Sequence, residues 1–83
     1  MKPSVIVTVK EKNGLDYDVE LPVNVPVSQL AKDIAEVINA YNEKKVLPQD
    51  SYALYCDRMG KTLPGNRTLM ELGVWNGDIL VLQ

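Results

Sequence analysis

Apolar residues change their spacing along this chain, and each change marks a new kind of element. In Val5-Ile6-Val7-Thr8-Val9-Lys10 the odd positions are apolar and β-branched, while the even ones turn polar toward the end. A repeat of two means a strand with one buried face. Asn13-Gly14 follows, the pair that best tolerates the positive φ angles of a tight hairpin turn. From Asp16 to Leu21 the alternation returns, with Tyr17, Val19 and Leu21 set inward and Asp16, Asp18 and Glu20 toward water. Pro22 closes this second strand, because it has no N–H to give to a ladder.

The period then lengthens. Val27, Leu30, Ala31, Ile34, Val37, Ile38 and Tyr41 recur at spacings of three and four, which predicts a helix over 27–41 with one apolar stripe. Lys32, Asp33, Glu36 and Asn39 take its other side. Pro26 stands just before it, where a missing N–H costs nothing. Asn42-Glu43-Lys44-Lys45 is a polar exit, and Pro48 forbids continuation. Short pieces follow: a strand over 52–56, a turn at 58–61, an edge strand at Thr62-Leu63 and a turn at 64–66. Thr68 to Gly73 reads as one helical turn, with Thr68 as N-cap, Glu71 completing a capping box and Gly73 as the stop. Asn76-Gly77 turns the chain into a last strand over 78–82.

The order is β-β-α-β-β-β. A terminal strand as apolar as Ile79-Leu80-Val81-Leu82 belongs in the middle of a sheet, with the first strand as its natural neighbour. That predicts an α+β β-grasp, a mixed four- to five-stranded sheet packed on one helix, as a single domain over 1–83.

Charge and composition narrow the function. The 83 residues carry 9 basic and 11 acidic side chains, net −2, which disfavours nucleic acid and anionic lipid as partners held by a bulk field. No apolar run approaches the ~20 residues of a membrane span, so no insertion into a bilayer is expected. The N-terminus has no apolar core of a secretory signal, and Cys56, the lone cysteine, has no internal disulfide partner. A reducing, cytoplasmic location is the expectation.

Catalysis finds little to work with. The chain contains no histidine, the commonest general acid/base and metal ligand. Cys56 lies in an apolar strand and reads as a small buried hydrophobe instead of a thiolate nucleophile. Asp16, Asp18 and Glu20 lack the glycine-turned loop that gathers calcium ligands, and read as a solvated face that keeps a strand edge from mispairing. Gly60, Gly65 and Gly77 are dispersed, so no phosphate loop forms. We expect no enzyme, no cofactor and no metal, which leaves binding.

The second half of the chain resembles ubiquitin. Leu47-Pro48-Gln49-Asp50-Ser51-Tyr52-Ala53-Leu54, then Gly60-Lys61-Thr62-Leu63 and Arg67-Thr68-Leu69, follow the ubiquitin pattern, with two extra residues near Asp57-Arg58. Ubiquitin-like modifiers and sulfur carriers end in a Gly-Gly tail, whereas this sequence stops at Leu82-Gln83, so conjugation is not expected. The run from Leu69 through Gly73-Val74-Trp75-Asn76-Gly77-Asp78 to Leu80 is similar to the bacterial YukD/EsaB family, although Asn-Gly-Asp also serves simply as a tight turn before a strand. That resemblance implies an accessory or adaptor of a type VII (WXG-substrate) secretion system. It would act by binding protein partners among the cytosolic or membrane components of the machine. An interaction domain of a larger protein, or a truncated sulfur carrier or modifier, are the alternative readings.

The expected contact surface is the sheet face opposite the helix. If Leu54, Leu80 and Leu82 point to the helix, then Tyr55, Ile79 and Val81 point away, with Thr8 and Ala53 nearby. Several apolar side chains in one exposed patch mark an interaction surface. Tyr55 and Val81 also match two partner-binding positions of ubiquitin, and the third is the polar Gln83. Trp75 is expected to pack on the core edge. Lys44 and Lys45 read as a solvated loop, or as the basic half of a head-to-tail contact with Asp16, Asp18 and Glu20.

Overall fold

The computed structural model describes residues 3–11, 16–41 and 52–83. Strand β1 (Ser4–Lys10) pairs antiparallel with β2 (Asp16–Pro22), and helix α1 (Val27–Tyr41) follows. Strands β3 (Leu54–Cys56) and β4 (Lys61–Thr62), the short helix α2 (Leu69–Leu72) and β5 (Ile79–Leu82) complete the order. The sheet runs β2-β1-β5-β3-β4, with β5 parallel to β1 and antiparallel to β3. This is the five-stranded mixed sheet of a β-grasp. The Asn13-Gly14 turn, the 42–45 exit, Lys44, Lys45, Pro48 and the side chain of Tyr41 lie outside the described residues.

Burial explains the central place of β5. Leu80 and Leu82 are fully buried, as are Val7 and Val9 of β1 and Leu54 of β3, so all three strands give one face to the helix. A strand that apolar loses least when both its neighbours are strands. Leu30, Ala31, Ile34 and Ile38 of α1 close the core from above. The helix start is satisfied by a loop far away in sequence: Val27 N–H donates to the Arg67 carbonyl at 2.8 Å and Ser28 N–H to the Gly65 carbonyl at 3.0 Å. These are donors that a helix cannot satisfy internally.

Three details differ from the sequence reading. Val37, expected in the apolar stripe, is 55% exposed, whereas Ala35 is buried. At ~100° per residue the sheet covers the arc around Val27 and Ile38, and Val37 lies at its border, about 90° away. Pairing in β3 begins at Leu54 instead of Tyr52, and the edge strand is Lys61–Thr62. Leu63 turns inward to become buried, its N–H donating to the Leu54 carbonyl at 2.7 Å. Among the described residues, two charged ones are buried, Glu11 and Asp78. Among the described residues, neither Glu11 carboxylate oxygen has a hydrogen-bond partner.

Candidate functional site: the open sheet face and the Arg58 clasp

The register gathers the expected patch on the face away from α1. Thr8 of β1 stands beside Ile79 of β5, and Tyr55 of β3 opposes Val81 of β5. Ala53 lies next to Gln83, joined to it by two backbone hydrogen bonds of 2.9 and 3.2 Å. Thr8, Ala53, Tyr55, Ile79 and Val81 are all half-buried, the state of side chains that lie against a sheet with one side in water. The strip continues to Ile6, which is 56% exposed and one pleat from Thr8. Ile6 was missing from the sequence reading, although its even position in β1 already set it on this face.

Beside the apolar strip runs an acidic one. Asp16, Asp18 and Glu20 are exposed, opposite Lys10, Thr8 and Ile6 of β1. Thr8 Oγ1 donates to Asp18 Oδ1 at 2.8 Å, and Ser4 Oγ donates to Glu20 Oε2 at 2.6 Å. Among the described residues, no three acidic, cysteine or histidine side chains come together in a way that would hold a metal. Cys56 faces the core and is fully buried. Among the same residues, no helix is long and apolar enough to cross a membrane.

A second feature, illegible in the sequence, forms at the end of the sheet. Arg58 reaches from the β3–β4 turn and donates to both Asp78 oxygens, Nε to Oδ1 at 2.7 Å and Nη2 to Oδ2 at 2.9 Å. The same Nη2 donates to the Gly73 carbonyl at 2.9 Å, and Trp75 N–H donates to Asp78 Oδ2 at 2.8 Å. The Arg58 hydrogen bonds hold the Asp78 carboxyl below the usual carboxylate range, helped by the Trp75 N–H and opposed by burial. They raise Arg58 in turn.

Trp75 corrects another expectation. It does not pack on the core edge; it is 63% exposed, and its ring lies 4.0 Å from the Arg58 guanidinium. Because Asp78 holds the Trp75 backbone and Asn76 Oδ1 accepts from Ile6 N–H at 2.8 Å, the loop is anchored by its polar groups and the indole is left over the arginine.

The fold and its open face define a ubiquitin-like domain, and known structures agree. The chain is similar to a chain of the MycP5-free ESX-5 inner membrane complex, State II, with 26% identity and a TM-score of 0.79 over 96% of this chain and 20% of that one. It thus spans about a fifth of the length of that relative. It is also similar to the EccD5 ubiquitin-like domain from Mycobacterium xenopi, with 21% identity, TM-score 0.76, and 98% and 93% of the two chains covered. Ubiquitin of Caldiarchaeum subterraneum shares the fold, with 23% identity, TM-score 0.73, and 96% and 91% covered. No match was found among curated proteins. Residues 4–82 match the family described as WXG100 protein secretion system (Wss), protein YukD, and the chain belongs to that family. It is a ubiquitin-like domain associated with type VII secretion.

Proposed function

We propose that this chain is a non-catalytic accessory or adaptor of a bacterial type VII secretion machine, working in the cytoplasm by contact and not by covalent attachment. It docks protein components of the machine through the sheet face of Thr8, Ala53, Tyr55, Ile79 and Val81. One observation carries this reading: half-buried Ala53, Tyr55, Ile79 and Val81, with exposed Ile6, share the face that the helix does not cover. Tyr55 is a suitable anchor, since an aromatic side chain brings large contact area with few rotatable bonds. Membership of the secretion-linked family supports the choice of partner class.

A second reading is that the domain serves within a larger protein, favoured by its similarity to one fifth of a membrane-complex chain. Affinity capture from cytoplasmic and membrane fractions tests both. The expected result is recovery of secretion-machine components by the native chain and their loss with a Tyr55→Ala/Val81→Ser double variant of unchanged circular dichroism. Undiminished capture by that variant would remove the sheet face from the proposal. Intact mass of the native protein checks the absence of a covalent adduct.

A further inference from the structure

The sheet has a second available surface, its β2 edge. β2 is the outermost strand on that side. Its outward-pointing backbone can be read from its partners. Val23 N–H donates across to the Pro3 carbonyl, so in the antiparallel alternation Leu21, Val19 and Tyr17 bond inward to β1. Ile6 and Thr8, opposite Glu20 and Asp18, accordingly bond the other way, toward Asn76, Gly77 and Asp78. The backbone groups of Asp16, Asp18 and Glu20 therefore point outward. Pro22 falls in the same outward set, where its missing N–H breaks no bond to β1.

Beside this edge, between β2 and α1, runs a groove of about 640 Å³. Half-buried Tyr17 and Val19 form one wall, Ile34 and Ile38 the floor, and exposed Val37 the far wall, with Asp33 on the rim. A strand added at β2 has side chains on two faces. Those toward the helix would meet the apolar groove. Those on the other face would meet Asp16, Asp18 and Glu20, of which only Asp16 has a lysine, Lys10, opposite it among the described residues.

We propose that this edge binds an extended partner segment of alternating apolar and basic residues, which adds to β2 as a sixth strand. Backbone hydrogen bonds supply affinity in such additions, and the alternate side chains supply specificity. Charge decides the occupant. A second copy paired through its own β2 would set carboxylates against carboxylates, and like charges directly opposite are destabilising. It lies at the sheet's edge, away from Tyr55 and Val81 of the face proposed above, and borders that face at the Thr8–Asp18 hydrogen bond.

Two blocked peptides as long as β2 test it, one alternating valine with lysine and one alternating valine with glutamate. Amide exchange and chemical shifts on the full chain are the readout. The lysine peptide should slow exchange at Asp16, Asp18 and Glu20, bind more weakly as salt rises, and lose about tenfold in affinity with Val37→Asp. An Asp18→Lys/Glu20→Lys variant should prefer the glutamate peptide. Tyr55→Ala/Val81→Ser should leave the peptide affinity unchanged, which separates this proposal from the sheet-face reading. Equal binding of both peptides, binding of neither, or protection confined to β4 would overturn it, as would a dimer closed through β2.

Discussion

Arg58 and Asp78 meet in a two-pronged ion pair, with contacts of 2.7 and 2.9 Å, that fastens the β3–β4 turn to the loop before β5. Asp78 is buried and already accepts from the Trp75 backbone, so its charge is met from both sides. Asp78→Asn keeps the shape but turns one acceptor into a donor facing a guanidinium. It should cost about 1–3 kcal/mol in urea unfolding.

The same pair sets an acid limb in the stability curve. The folded Asp78 carboxyl titrates below its unfolded value. Its contribution is therefore fully present above about pH 4, and is lost as pH falls through the lower folded value. Unfolding free energy measured from neutral to strongly acidic pH should decline in that window, and Asp78→Asn should flatten the decline.

The α2 helix stands on its caps. Thr68 Oγ1 accepts from Glu71 N–H at 3.2 Å, and Glu71 Oε1 accepts from Thr68 N–H at 3.0 Å. The Thr68 N–H and hydroxyl, both donating to Oε1, hold the Glu71 carboxyl below its usual range. Gly73 ends the turn at φ 71°. Thr68→Ala should cost about 1 kcal/mol. Gly73→Ala should cost about 1–2 kcal/mol from backbone strain alone, because a Cβ there meets no atom within 4 Å. Thermal melts of the two variants and their combination measure both.

Cys56 offers a direct check on chemistry. With its side chain wholly buried, the thiol should react with a disulfide reagent only as fast as the protein opens. Labelling should accelerate in parallel with unfolding as urea is added. Fast stoichiometric labelling of the native protein would contradict the buried placement.

Glu11 predicts a gain instead of a loss. Its carboxylate is buried with no hydrogen-bond partner among the described residues. Glu11→Met preserves length and removes the desolvated group, so the midpoint of urea unfolding should rise, by about 1–3 kcal/mol in free energy.

Much of the fold was legible because local rules and global packing agree. Alternation located β1 and β2, and the stripe from Val27 to Tyr41 located α1 to the residue. Thr68, Glu71 and Gly73 announced α2, because capping is a contact between near neighbours. Pleat parity alone set Tyr55, Ile79 and Val81 on one face, and would have added Ile6. Val37 and Trp75 were misjudged for the opposite reason. Helical phase says that a side chain is near the apolar arc, not where the sheet beneath it stops, and an indole's surroundings depend on a residue 17 positions away in a different turn.

By itself, then, the sequence determined the element order, the parity of each strand, the caps and the family signature, all of which depend on residues a few positions apart. Only the tertiary structure decided that Arg58 clasps Asp78, that β2 is left as an edge beside an apolar groove, and that an acidic strip borders the open face. Those features arise where segments distant along the chain come into contact. Their geometry is fixed by how the helix lies across the sheet, which no periodicity records.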